Sequence, residues 1–397
     1  MDPGLNPYTP NAGAKPPALV GRDAELDAFE VLLARLQRGR AEQSLMVTGL
    51  RGVGKTVLLG AFQERAVAAG WVSVETEITR TTRFTGRMAH LTKRALLEIA
   101  PRERWKERAR RAARILQSFS LTVSTDGSVT GSLDLEPLSG RADSGDLGED
   151  LTDLLVALGE AAADHERGVV FLMDEIQFLD DEPFEALIAA MHKTVQRQLP
   201  ITLVGAGLPQ LPRLAGEAKS YAERLFRFPR LGPLDDRAAE DALVDPAREL
   251  GVEIDPRAVR TVLEYTQGYP YFIQEYGRVL WDRAEGSPIG PVDAVEAQAV
   301  VEAKLDDDFF STRLERASDA EVTYLRALAE LGPEPQRASV VAAQLGRKVE
   351  RVAETRARLI DKGLLYAPKR GLTAFTVPQF DRFLRRAFPH ATANPGS

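Results

Sequence analysis

Eight consecutive residues, Gly49-Leu50-Arg51-Gly52-Val53-Gly54-Lys55-Thr56, match the pattern G-x-x-x-x-G-K-[ST] in full. They follow a short apolar run, SLMVTG (44–49), and open a helical pattern, TVLLGAFQERAVAAG, which is the context this pattern needs to work. A glycine-rich turn at a strand–helix junction lets backbone N–H groups point at phosphate oxygens, and the helix N-terminus adds a partial positive charge. Gly49, Gly52, Val53, Gly54, Lys55 and Thr56 are therefore read as phosphate-binding. Lys55 is expected to reach the terminal phosphates, and the Thr56 hydroxyl to ligate Mg²⁺. About 120 residues on, GVVFLMDE (168–175) is an unbroken apolar strand ending in two acids. Asp174, at the exposed end of such a strand, can hold the same Mg²⁺, and Glu175 can polarise a water for in-line attack. Gln177 is read either as a contact to that water or to a neighbouring subunit, or as a plain surface residue.

These groups need a scaffold that brings two strand ends together. The order helix (22–38), strand (44–49), loop, helix, strand (71–79), and later the strands 168–175 and ITLVGAG (201–207), predicts an α/β fold with a parallel sheet and crossover helices. SFSLTVSTDGSVTGSLDLE (118–136) alternates on both sides of Asp126-Gly127 and predicts a β-hairpin. From Asp235 to about Phe310 the pattern is helical throughout. Residues 316–389 read as three helices, two short strands around Lys369-Arg370-Gly371 and a closing helix, the pattern of a winged helix-turn-helix.

Composition narrows the chemistry further. The chain has 397 residues, 44% hydrophobic and 27% charged, enough for several folded domains. Cysteine is absent, so disulfides, thiol nucleophiles and Cys-based metal sites are excluded, and the four histidines are scattered along the chain, which speaks against a His-rich metal cluster. The net charge of −7 gives no global reason to expect nucleic acid. No apolar run reaches the roughly 18 residues of a membrane helix. The Pro/Gly/Asn-rich start, MDPGLNPYTPNAGAKPP, reads as a disordered leader over 1–17, neither signal nor transit peptide, and implies a cytoplasmic protein.

The phosphate loop together with Asp174-Glu175 resembles P-loop ATPases of the AAA+/STAND group, and more specifically bacterial AAA-type proteins related to archaeal origin-recognition ATPases. Three more elements share the resemblance. Val20-Gly21-Arg22-Asp23-x-Glu25-Leu26 is similar to an element that packs beside the adenine. Ser220-Tyr221-Ala222-Glu223-Arg224-Leu225-Phe226 resembles the segment that carries an arginine finger. Gly268-Tyr269-Pro270 resembles a nucleotide-touching element of the helical lid. The resemblance implies ATP and Mg²⁺ as ligands, Val20, Gly21, Arg22 and Pro270 as further nucleotide contacts, and Lys55, Glu175 and Arg224 as catalytic residues. No base-reading NKxD element of GTPases is present. Arg224 is read as a finger acting on a neighbouring subunit, with Arg227 as second choice, or else as a partner in an internal salt bridge; the finger reading implies a homo-oligomer. Two departures stand out. The strand 201–205 runs into Gly-Ala-Gly with no polar residue to sense the γ-phosphate, and Thr202 lies at its other end. The lid carries Tyr271-Phe272-Ile273-Gln274 after GYP, where many AAA+ proteins have a sensing arginine; Arg278 is the substitute at hand.

The resulting division is a P-loop ATPase domain (18–233) with a basic insertion at about 80–150, a helical lid (234–312) and a winged-helix domain (313–390). Residues 319–390 hold thirteen Lys/Arg against eight Asp/Glu. Arg347, Lys348, Arg351, Lys369 and Arg370 would meet duplex DNA through a recognition helix and wing. Arg356, Arg358 and Lys362 lie on the same helix, diluted by Glu350 and Glu354. Residues 80–114 carry twelve Lys/Arg against three Glu, read as a contact surface or a solvated face, with Trp105 either stacking on a base or anchoring its helix. Two functions follow: an ATPase whose nucleotide state controls assembly on DNA, or a signalling switch that holds ADP, hydrolyses slowly and binds a protein. A P-loop kinase would leave the lid and winged helix unexplained.

Overall fold

The computed structural model describes residues 1–11, 13–123 and 136–389. After helix α1 (Asp23–Gln37), strand β1 (Ser44–Gly49) leads through the glycine loop into α2 (Lys55–Ala68) and β2 (Val72–Glu77). Helices α3 (Phe84–Ile99), α4 (Glu107–Val123) and α5 (Leu147–Asp164) precede β3 (Val169–Asp174). Then come α6 (Asp181–Gln196), β4 (Ile201–Gly207), α7 (Leu211–Ala218), α8 (Ala222–Leu225) and the short strands β5 (Phe226–Arg227) and β6 (Arg230–Leu231). The sheet order is β2-β3-β4-β1-β5, with β6 also on β1, and its pairs are parallel. Strands β1 and β4 are buried along their whole length, as expected of unbroken apolar runs covered by helices on both faces. Because β3 and β4 are inserted between β1 and β2, the carboxyl ends of β1 and β3 open onto one crevice, where ligands bind in such sheets.

The expected hairpin begins as a helix. Helix α4 runs through Val123, with Phe119, Ser118 and Ser120 buried. Burial of consecutive residues 115–120 all round the helix, between α3 and α5, overrides the alternating pattern. The rest of the hairpin segment lies outside the described residues. Trp105 is an anchor: it is buried, and its indole N–H donates to the Ala100 carbonyl at 2.8 Å. Arg83, Arg87, Arg102, Arg104, Arg108 and Arg110 around it are exposed and form no ion pair among the described residues.

A helical block follows: α9 (Asp236–Glu249), α10 (Pro256–Thr266), α11 (Pro270–Arg283) and α12 (Pro291–Lys304). A π-helical turn (Leu305–Ser311) and the short α13 (Thr312–Leu314) continue it. The C-terminal block comprises α14 (Asp319–Glu330), β7 (Gln336–Arg337), α15 (Ala338–Gln344), α16 (Val349–Asp361), β8 (Leu365–Tyr366), β9 (Leu372–Phe375) and α17 (Phe380–Ala387). Its three strands form an antiparallel sheet in the order β7-β9-β8. The two blocks share one core, in which Phe310 stacks on Phe380 and Phe383.

Over its described residues, the segment expected as a disordered leader packs on the helical block. Tyr8 belongs to the core of the helical block, 4% exposed, with its hydroxyl on the Leu243 carbonyl. The Asn6 amide donates to the Arg278 carbonyl and the Asp282 carboxylate. A Cβ on Gly277 would lie 2.5–2.8 Å from the Tyr8 ring, so only glycine admits it. Prolines and a buried aromatic give this segment enough apolar contact and little enough freedom to order. Among the described residues, no helix is long and apolar enough to cross a membrane.

Candidate functional site

The ends of β1 and β3 meet as their parallel order requires. The Thr56 hydroxyl donates to Asp174 Oδ2, and the Glu175 backbone N–H donates to Asp174 Oδ1 at 2.8 Å. Burial is the main influence on Asp174 and raises its pKa, while the bonds from Thr56 and Glu175 pull it down. Lys55 is 6% exposed, and its ammonium donates to the Gly49 and Leu50 carbonyls at 3.0 Å each. Burial lowers its pKa, opposed by the nearby Glu175 and Asp174 carboxylates. A hydroxyl beside a carboxylate is a hard oxygen donor pair, which suits Mg²⁺ bound chiefly through phosphates and water.

Glu175 sits in the left-handed region at φ 52°, a strained position for a non-glycine residue that tends to mark functional sites. Gln177 holds it. The Gln177 amide nitrogen donates to Glu175 Oε2, and its amide oxygen accepts the Leu208 N–H at 3.1 Å. Gln177 therefore is not a plain surface residue: it is half-buried and bridges Glu175 to the end of β4. Gly207 leaves room for it, since a Cβ there would collide with the Gln177 amide oxygen. Gly207→Ala is expected to displace that flexible side chain, cost little stability and lower turnover by up to about 10²-fold, the penalty of a roughly 1 Å misplacement. Phosphate release alongside a thermal melt checks both halves.

A cavity of about 540 Å³ gathers Val20, Arg22, Gly52, Val53, Gly54, Lys55, Thr56, Glu175 and Pro270, a volume suited to a small organic ligand. Arg22 acts through the backbone, donating to the Val53 and Gly232 carbonyls at 3.1 and 2.8 Å. Burial lowers its pKa. Gly21 and Gly49 stand just behind the wall: Gly49 supplies a carbonyl to Lys55, and Gly21 packs against Ala238. Pro270 starts α11, and the next N–H, of Tyr271, donates to the Gly52 carbonyl at 3.2 Å. Arg278 is not at the cavity; its carbonyl faces Asn6.

Two cavity arginines escaped the sequence reading. Arg313 lies 3.8 Å over the Phe309 ring, donates to the Phe309 carbonyl, and has its pKa pushed down to about 10 by burial and by Arg51. The Arg51 Nε is buried without a hydrogen-bond partner, and neither arginine has an ion pair among the described residues. Arg51 stood in plain view inside the glycine loop; Arg313 reaches the site only because the π-helical turn carries the chain back across it. Arg224, on α8, is exposed, away from this cavity and without an ion pair among the described residues, as is Arg227 on β5. The internal salt bridge expected as their alternative is not formed there.

In the C-terminal block, Arg347, Lys348, Arg351, Lys369 and Arg370 are exposed and unpaired among the described residues. Three other cations of the expected recognition helix are used internally. Arg356 donates to Thr373 and to the Leu372 carbonyl, and Arg358 and Lys362 pair with the buried Glu321. The block also touches the site: the Arg51 N–H donates to the Thr376 carbonyl at 3.0 Å.

A parallel sheet whose β1 ends in a lysine-bearing glycine loop, with a strand-end Asp-Glu pair beside it, defines a P-loop nucleotide-binding protein. Within that class, residues 18–204 match the AAA ATPase domain family. Residues 307–384 match a domain of unknown function (DUF8462). No curated protein matches the chain. Among solved structures, a Walker-type ATPase of Pyrococcus abyssi aligns with a TM-score of 0.58 at 17% identity, over 92% of this chain and 96% of that one; the likeness is one of fold. The Orc1 protein of Aeropyrum pernix, solved in complex with DNA, aligns at 0.48 and 16% over 97% and 96%. The RuvB Holliday junction branch migration motor of Thermotoga maritima aligns at 0.47 and 16% over 96% and 99%.

Proposed function

We propose that this protein is a Mg²⁺-dependent ATPase whose nucleotide state controls its assembly, with duplex DNA as the platform. The observation that carries the reading is the convergence of Lys55, the Thr56–Asp174 pair and Glu175 in one ligand-sized cavity. Thr56 and Asp174 would hold the Mg²⁺, which supplies charge neutralisation on the phosphate oxygens. Lys55 leaves its loop carbonyls for phosphate. Glu175, kept in place by Gln177, orients the attacking water. Arg51 and Arg313 add positive charge to the same cavity, and preorganised charge of this kind is the main source of catalysis in phosphoryl transfer. The exposed, unpaired Arg224 supports a finger offered to the next subunit of a homo-oligomer. The chain then divides into an ATPase domain (18–233), a lid (234–312) and a winged helix (313–390).

Arg347, Lys348, Arg351, Lys369 and Arg370 supply the DNA contacts in this reading, because they alone among the cations expected on the recognition helix and wing remain free. One observation favours a second reading. The Arg51–Thr376 contact ties the C-terminal block to the phosphate loop, and Arg80 donates to the Asp361 carbonyl from the other side. Such a block can lock a signalling switch in one nucleotide state.

Duplex binding and ATP turnover, measured across a salt series, separate the two. Five phosphate contacts give a slope of about −4.5 in log affinity against log salt, with turnover rising on DNA and Lys348→Glu/Arg351→Glu removing both effects. A flat salt dependence with ADP retained on purification favours the switch.

A further inference from the structure

The N-terminal segment does more than pack on the helical block. Thr9, Pro10, Asn11, Gly13, Ala14 and Pro16 line the same cavity as Lys55 and Thr56. On one side the segment is tied to the lid: Tyr8 is sunk into its core, and the Thr9 N–H donates to Oε1 of the buried Gln274 at 3.1 Å. On the other side it is tied to the P-loop domain, where Lys15 pairs with Glu64 of α2 at 2.8 Å. Between these ties the chain passes close over the phosphate loop, and a Cβ on Gly13 would lie 3.5 Å from the Thr56 methyl.

We propose that residues 6–11 and 13–16 form a fourth wall of the nucleotide site, a strap that a bound nucleoside phosphate contacts and that must lift before the ligand leaves. The inference rests on the nucleotide-binding reading above. A segment anchored on both sides of a cleft cannot keep both anchors while the cleft opens, so the Tyr8 or the Lys15 contact must break during exchange. Burying the ligand under this wall adds contact area and excludes water. Pro10 and Pro16 lessen the entropy lost when the strap closes. The strap acts on dissociation more than on encounter, as contacts that bury a bound ligand generally do.

The test is the release rate of a fluorescent N-methylanthraniloyl ADP, chased with unlabelled ADP, in four proteins. Tyr8→Ala is expected to release the probe at least tenfold faster than wild type. Because that variant removes a core side chain, the second variant leaves the core untouched. The chain has no cysteine, so Lys15→Cys/Glu64→Cys, joined after loading by a short bis-maleimide, gives a strap that cannot lift and is expected to release at least tenfold more slowly. Lys55→Ala is the fourth protein. If wild type retains the probe and Lys55→Ala does not, yet release is unchanged by both Tyr8→Ala and the cross-link, the strap is overturned and the nucleotide site stands. If wild type and Lys55→Ala are equally unable to hold the probe, both are overturned.

Discussion

Glu175→Gln is expected to lower ATP turnover by about 10²–10⁴-fold, the usual contribution of a positioned general base, with nucleotide affinity little changed. The substitution keeps the shape of the side chain. It also keeps an oxygen able to accept the Gln177 amide that holds Glu175, so the left-handed backbone at this position has no new reason to relax. What is lost is the negative charge that aligns and deprotonates water. Phosphate release measured beside fluorescent-nucleotide titration gives both quantities on one preparation. Turnover that survives the change at more than a tenth of wild type would mean that another group, or bulk water, takes the proton, and would remove Glu175 from the catalytic set.

Lys55→Ala has the second large effect, and on a different step. The Lys55 ammonium is buried, and its two hydrogen bonds go to carbonyls of its own loop, which hold it in readiness for phosphate. Removing it leaves Asp174 and Glu175 facing an anionic ligand with one cation fewer. Truncating one partner of a buried charged contact costs about 2–5 kcal/mol, a rise in Kd of roughly 30- to 4,000-fold. Thermal melts read this directly. A ligand at 100 times its Kd stabilises a protein by about 2.7 kcal/mol, so wild type should shift upward with Mg²⁺ and ATP, and Lys55→Ala by no more than about a third as much at the same concentration. An equal shift in both would place the nucleotide elsewhere in the chain. Glu175→Gln should keep the shift in full, which separates loss of binding from loss of chemistry.

What the sequence determined by itself was local. The glycine loop, the apolar strands on either side of it and the acids ending β3 lie within short windows whose chemistry and periodicity need no distant partner. Those windows also imply that the ends of β1 and β3 share a crevice, because parallel strands joined by right-handed crossovers present their carboxyl ends on one side. Tertiary structure decided everything that depends on contacts far apart in the chain. The segment 1–17 reads as a disordered leader until Gly277, some 270 positions later, leaves room for the Tyr8 ring. Residues 118–123 alternate like a strand, yet the packing of α3 and α5 makes them helix. Gln177 is unremarkable in sequence and becomes the clamp on Glu175 only because β4 ends in glycine beside it. Arg313 joins the phosphate cavity just after a π-helical turn that no hydrophobic period announces, while Arg278, on α11, lies away from it. In each case the deciding energy is burial or charge contact between distant residues, which appears only once the chain has closed on itself.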